Sequence, residues 1–334
     1  MKKKVYGIIL TVVIAAGAVN VQAAEKSSGE PEALRCAVMT GNLDHYTTEI
    51  GKWQGIFEKN GVALETTEFV AGINTIDSVV NGLADIGNMA DYAAVNRLGN
   101  TQNETDLKIF SELSGAGLRN GGLYVAPKYE DDLEALDGSE GFMTMTGTVN
   151  DYYTSLAIEY LGLDENKQNI INTDSAQTQL SLAQSGAASA IVASGSNATY
   201  LEQYGWKLAV GSEELGIETG AYFLAKEDFI KENPELLAKF LDGVKESYEY
   251  INDNLDESAE YLEGKIGIKA EDFKTQWESY QLATGFTEEA AVHLEKIEKW
   301  AFERGRFDED YNIRDFIDTS IVEIAAPDKV TIKK

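Results

Sequence analysis

The chain has 334 residues, more than one hydrophobic core usually serves, so two domains or lobes are expected. Hydrophobic residues make up 43% and prolines number only 4, which excludes an extensively disordered chain. The formal charge is −28, from 56 acidic against 28 basic residues, and such a surface repels nucleic acid and anionic lipid.

The first residues follow a secretory pattern. Lys2, Lys3 and Lys4 form a basic start, an apolar stretch runs over 5–19, and Val21-Gln22-Ala23 fits a cleavage site before Ala24. The apolar stretch is shorter than the roughly 20 residues a membrane span needs. Export with removal of 1–23 is expected, to the periplasm or the extracellular face of the cytoplasmic membrane. Without the three leader lysines, 25 basic residues face 56 acidic ones, a charge of −31. Cys36 is the only cysteine, so no internal disulfide forms, and its place after Arg35 suits a buried strand better than lipid attachment. His45 and His293 are far apart, and no His/Cys/Asp/Glu grouping has metal-ligand spacing. No metal, no cofactor and no catalytic centre are expected.

A polar linker covers 24–33. A strand is predicted over 34–40, then a helix over 44–59 with Tyr46, Ile50, Trp53, Ile56 and Phe57 on one face, stopped by Asn60-Gly61. A strand over 63–70, a helix over 74–83 and a short strand over 84–89 follow. This alternation predicts an α/β fold with a mostly parallel sheet. A second α/β unit begins near residue 125. It reads as a strand over 142–146, a helix over 151–161 capped by Gly162, a strand over 170–173, a helix over 178–184 and a strand over 188–193. One more strand spans 220–225. The rest is helical: Pro234 opens a helix with the apolar stripe Leu237, Phe240, Leu241, Val244, Tyr248 and Ile251, and further helices span 270–280 and 288–304. This acidic tail reads as a scaffold packed on the first unit.

One segment is written twice. Met39-Thr40-Gly41 recurs as Met145-Thr146-Gly147, an offset of 106, and Tyr46 and Thr48 fall on Tyr152 and Thr154 at the same offset. Gly82-Leu83-Ala84-Asp85-Ile86 has a looser echo in 186–191. Two copies of a strand-turn-helix are too few for a solenoid and suit two similar lobes facing each other.

In such units ligands sit beyond the C-terminal ends of the strands, where helix N-termini offer unpaired N–H groups. The turns there are 40–46, 69–74, 88–92, 146–153 and 194–197. Their candidate ligand-binding residues are Thr40, Gly41, Asn42, Asp44, Tyr46, Gly72, Asn88, Asp91, Tyr92, Thr146, Gly147, Thr148, Asp151, Tyr152, Ser194 and Ser196. The hydroxyls and amides either meet a ligand or cap helices, and the tyrosines either stack on a ligand or pack. The turns hold no lysine or arginine, and Arg119 is the cation nearest the expected hinge. Asp44, Asp91 and Asp151 either cap helices or receive a ligand ammonium or ring nitrogen. This chemistry leans towards a zwitterionic or heteroaromatic solute over a bare inorganic anion.

Residues 56–62, Glu65, Phe69, Gly72 and 82–87 resemble the first lobe of the sulfonate/taurine/nitrate/thiamine-precursor solute-binding proteins of ABC importers. Residues 133–138, 184–191, 229–236 and 318–320 resemble later motifs of the same family in the same order. The resemblance implies a type II periplasmic-binding-protein fold, two α/β lobes around a cleft with a helical C-terminal extension. Residues 34–124 and 222–334 would build lobe 1 and 125–221 lobe 2, with crossings near 122–126 and 220–224. It implies a monomer that captures a small organic solute, sulfonate- or taurine-like or a thiamine-type pyrimidine, and docks transiently on a membrane ABC permease. Three departures stand out: Ala193-Ser194-Gly195-Ser196 replaces the family's aromatic-acidic-proline turn, pocket cations are missing, and the lipid-attachment cysteine of many Gram-positive members is absent, which favours a periplasm. A sensory binding protein serving a receptor, and a non-transport enzyme on the same fold, are the alternatives.

Overall fold

The computed structural model describes residues 30–102, 104–118 and 121–333. The expected leader 1–23, most of the linker and Arg119 lie outside the described residues. Aliphatic runs bounded by turn residues form the strands, and the helical stripes form the layers over them. In the first part of the chain these are β1 (Glu32–Met39), α1 (Leu43–Trp53), α2 (Ile56–Lys59), β2 (Val62–Phe69), α3 (Gly72–Val80), β3 (Ile86–Ala90), α4 (Asp91–Thr101) and β4 (Leu107–Leu118). The middle holds β5 (Gly121–Val125), β6 (Phe142–Thr144), α5 (Val149–Tyr160), β7 (Ile170–Asn172), α6 (Ala176–Ser185), β8 (Ala190–Ser194), α7 (Gly195–Gln203) and β9 (Lys207–Gly211). The last part holds β10 (Glu218–Lys226), α8 (Glu227–Glu232), α9 (Pro234–Asp253), α10 (Leu255–Ile266), α11 (Ala270–Trp277), α12 (Glu288–Glu303) and α13 (Ser320–Ala325).

The strands make two five-stranded sheets, β2-β1-β3-β10-β4 and β7-β6-β8-β5-β9. The plan is the same in both. The second strand in order, β1 or β6, pairs in parallel on both sides. An antiparallel strand, β10 or β5, then lies fourth in order. Each sheet with its helices is one α/β lobe. The chain leaves the first sheet after β4, which ends at Leu118, and returns to it at β10, which begins at Glu218. The expected crossings, 122–126 and 220–224, overlap β5 and β10. Gly121-Gly122 looks like a hinge in sequence, but it is strand: a Cβ on Gly121 would stand 2.2 Å from Ala193 O of β8, so only glycine lets these backbones pair this closely.

The predicted helix 44–59 is two helices, because the chain turns at Gln54-Gly55. The α9 stripe Leu237, Phe240, Leu241, Val244 and Ile251 is buried. It packs on α1, α2 and α13, with Phe240 edge-on to Phe223 of β10 at 5.2 Å. α12 packs on α4 and β4. The helical tail therefore covers the first sheet. Burial of the largest side chains at about 1.5–3 kcal/mol each is the main force holding these layers. Among the described residues no helix is long and apolar enough to cross a membrane.

Candidate site between the two lobes

The doubled Met-Thr-Gly folds into the same turn in both lobes. Gly41 and Gly147 both sit at φ +78°, a left-handed value that glycine adopts without strain. The next residues, Asn42 and Thr148, are extended N-caps at φ −121° ψ 174° and φ −105° ψ 174°. In each copy the glycine N–H donates to the side chain four residues on: Gly41 to His45 Nδ1 at 3.2 Å, and Gly147 to Asp151 Oδ2 at 3.2 Å. The offset of 106 therefore pairs His45 with Asp151. Asp44 corresponds to Asn150, and both brace the helix start to a strand. Asp44 Oδ2 accepts from Met39 N at 2.8 Å, and Asn150 Nδ2 donates to Val192 O at 3.3 Å.

Burial sets the electrostatics. Asp44 is fully buried, and loss of water pushes its carboxyl up to about 7, against the pull of its backbone N–H donors. Its Oδ1 has no hydrogen-bond partner among the described residues. Burial lowers the pKa of His45, and the bond from Gly41 N leaves its proton on Nε2, 3.5 Å from Glu68 Oε1.

The other first-lobe candidates cluster at the same end of the sheet. Thr40 is exposed, with Oγ1 donating to Phe69 O at 2.8 Å, and Tyr280 donates to Gly41 O at 3.3 Å and Asn42 Oδ1 at 3.4 Å. Gly72 opens α3, where a Cβ would make ordinary contacts of 3.6 Å with Met39 Sδ and Asn88 O. Asn88 is buried, and its Oδ1 has no partner among the described residues. Tyr46 is buried against Phe273 of α11 and donates to Gln276 Oε1 at 2.7 Å, so its ring packs the tail onto the lobe.

In the second lobe Thr146 is exposed and its N–H donates to Asn172 Oδ1 at 2.9 Å. Thr148 Oγ1 accepts from Asn150 N at 3.2 Å, a working cap that Asn42 lacks. Ser194 is exposed at the start of α7. Ser196 lies in α7 beside it, with its side chain outside the described ones.

The remaining candidates lie where the lobes touch. Tyr92 stacks on Tyr152 at 5.4 Å and 15°, and its hydroxyl donates to Asp151 Oδ2 at 3.4 Å. Burial raises both phenols, Tyr152 to about 12. Asp91 is fully buried; Oδ1 accepts from Tyr92 N at 2.7 Å, and Oδ2 meets Gly220 N at 2.9 Å and His293 Nε2 at 2.7 Å. It ties α4 to the returning strand β10 and to α12. A Cβ on Gly147 would lie 3.6 Å from Asn96 Nδ2 of α4, so the second lobe's turn abuts the first lobe. The structure thus gathers Thr40–Asn42, Gly72 and Asn88 on one wall, and Thr146–Thr148 and Ser194 at the matching end of the other sheet. Asp91, Tyr92, Asp151 and Tyr152 meet one another at the contact of the lobes. Tyr280, Asn96 and Trp300 escaped the sequence reading, because contacts spanning 51 to 239 residues of chain leave no local pattern.

A cavity of about 410 Å³ lies elsewhere, lined by Lys108, Glu227, Tyr311 and Phe316 among others. Leu107 and Lys108 begin β4, level with the N-terminal end of β3. That is the end of the sheet away from the glycine turn, so the cavity is separate from the site.

The aliphatic sulphonate binding protein SsuA of Escherichia coli superposes with a TM-score of 0.73 at 17% identity, over 86% of this chain and 98% of that one. The fold is that of the periplasmic binding proteins. The periplasmic-binding-protein fold also appears in the nitrate-binding protein NrtA of Synechocystis PCC 6803, with a TM-score of 0.68, 15% identity, and 90% and 89% coverage. The desulfurization enzyme DSZB shares it too, with a TM-score of 0.66, 10% identity, and 89% and 99% coverage. Residues 134–258, which carry the second lobe's glycine turn and β10, match the NMT1/THI5-like family model. No curated protein matches by sequence.

Proposed function

We propose that this chain is the exported, extracytoplasmic binding component of an ABC importer. It captures a small organic solute between its lobes and, as a monomer, docks transiently on a membrane permease. The observation that carries the reading is the pair of equivalent glycine turns, one per lobe, beyond the C-terminal ends of the matching strands β1 and β6. Each offers a helix N-terminus and a backbone free to approach a ligand. The middle of the chain forms one wall and its two ends form the other.

The solute class follows from the same turns. They carry no lysine or arginine, while Asp44 Oδ1 and Asn88 Oδ1 are buried without partners among the described residues. Such groups favour a solute that brings its own N–H donors, an amino-sulfonate or an aminopyrimidine, over a bare anion. Catalysis is disfavoured by what the reactive side chains already do. Cys36 is buried, which pushes its thiol up; His45 serves the Gly41 turn, and His293 serves Asp91.

The test is a thermal-shift panel of sulfonates, amino-sulfonates, pyrimidines and flavins. A true solute at 100 times its Kd adds about 2.7 kcal/mol and raises Tm by roughly 5 °C. A panel without any shift overturns the solute class. Turnover of a bound compound would replace the import reading by an enzyme.

A further inference from the structure

Two arginines at the end of α12 reach across to the other lobe. Arg306 Nη2 donates to Glu165 Oε1 at 2.7 Å and to Ser155 Oγ at 3.1 Å, and lies 3.7 Å from Asp151 Oδ1. Arg304 Nη2 donates to Glu159 Oε2 at 2.6 Å, and its Nε lies 3.9 Å from Glu165 Oε2. Both guanidiniums lie over Trp300, at 4.6 and 5.9 Å from the ring centre. Trp300 in turn meets Tyr152 edge-on at 4.6 Å and Tyr92 at 6.0 Å.

The two ends of this cluster belong to different lobes. α12 is held on the first lobe by His293 on Asp91 and by Thr287 Oγ1 on Glu112 Oε1 of β4 at 3.0 Å. Ser155 and Glu159 lie on α5, which packs on β6 and β8 of the second sheet. The arginine side chains are 29% and 26% exposed, so salt reaches them, whereas Tyr92 and Tyr152 beneath are buried.

We propose that Arg304 and Arg306 are an interlobe clasp that sets how far the lobes close and thereby how tightly the cleft holds its solute. This rests on the two-lobed binding reading above. A contact made only when the lobes touch favours the closed form by its own free energy, and every solute that needs closure inherits that gain. Partly exposed ion pairs are screened by salt. Closure and affinity therefore weaken together as ionic strength rises, although the turns that hold the solute carry no cation.

The test uses the mature chain without solute. Spin labels at Leu83→Cys and Tyr204→Cys, one exposed site per lobe, report the interlobe distance, and Cys36 is buried away from the reagent. Between about 20 mM and about 500 mM salt the short-distance population should give way to a longer one. Arg304→Gln with Arg306→Gln should lower the closed-to-open ratio roughly fivefold and remove the salt response. Arg304→Lys with Arg306→Lys, which keeps both charges beside Glu159, Glu165 and Asp151, should retain most of the closure and its salt response. Unchanged distances in the double glutamine variant, a salt response that survives it, or opening in the lysine variant as large as in the glutamine one would each overturn the clasp. No solute enters the measurement, so its failure leaves the binding reading standing, and an empty solute panel leaves the distances standing.

Discussion

Replacing Asp44 by asparagine separates two things that side chain does. Its Oδ2 accepts the Met39 N–H, and an amide oxygen can accept the same bond. Its charge, however, is buried. Folding raises the carboxyl from 3.8 to about 7, so the folded chain holds a proton that the unfolded chain has already released between those values. The unfolded state binds fewer protons there, so stability falls as pH rises. The contribution is fully present below about pH 4 and is lost as pH passes through about 7. At roughly 1.4 kcal/mol per pH unit, the gap between 3.8 and about 7 is worth about 4 kcal/mol. Asp44→Asn carries no such titration. Urea melts of both proteins at a series of pH values isolate the effect, because every other group cancels in the difference. Relative to Asp44→Asn, the wild type should lose about 4 kcal/mol between pH 4 and pH 8, and the variant should be the more stable one at pH 8. Parallel stability curves for the two proteins would refute the buried-carboxyl argument.

Gly41→Ala and Gly147→Ala should each cost about 1–2 kcal/mol, because both turns need a left-handed φ of +78°. The costs should add in the double variant, since the turns lie in separate lobes, and differential scanning calorimetry checks the sum. Thr148→Ala should cost about 1 kcal/mol by removing a working N-cap, whereas Asn42→Ala, whose side chain makes no cap bond, should cost much less. Equal losses would contradict the cap assignment. Asp91→Asn should destabilise by about 1.5–3 kcal/mol in urea melts, since it removes a charged acceptor from the buried bonds to Gly220 and His293.

Most of the elements are legible in the sequence because aliphatic runs and helical stripes need only local pattern. The strands over 32–39 and 62–69 and the helix opened by Pro234 are of this kind. The missed elements have local reasons. β4 runs Leu-Lys-Ile-Phe-Ser-Glu-Leu-Ser-Gly, and its Ser111, Glu112 and Ser114 are buried beside β10, with Glu112 satisfied by Thr287. β5 begins with two glycines that look like a turn. At the site, the offset of 106 locates the equivalent turns, but residue type alone misplaces the equivalence. His45 and Asp151 differ chemically yet accept the same glycine N–H. Whether a tyrosine packs or faces the cleft is decided by partners far along the chain, as Tyr46 with Gln276 and Tyr152 with Trp300 show.

The central claim is that one solute is held by both glycine turns. Hydrogen exchange with and without a solute from the thermal-shift panel measures this directly. The account predicts that amides of 40–46 and 146–153 gain protection together at a single saturation point. A bound solute that protects one turn alone, or instead protects 105–108 around the distant cavity, would contradict it.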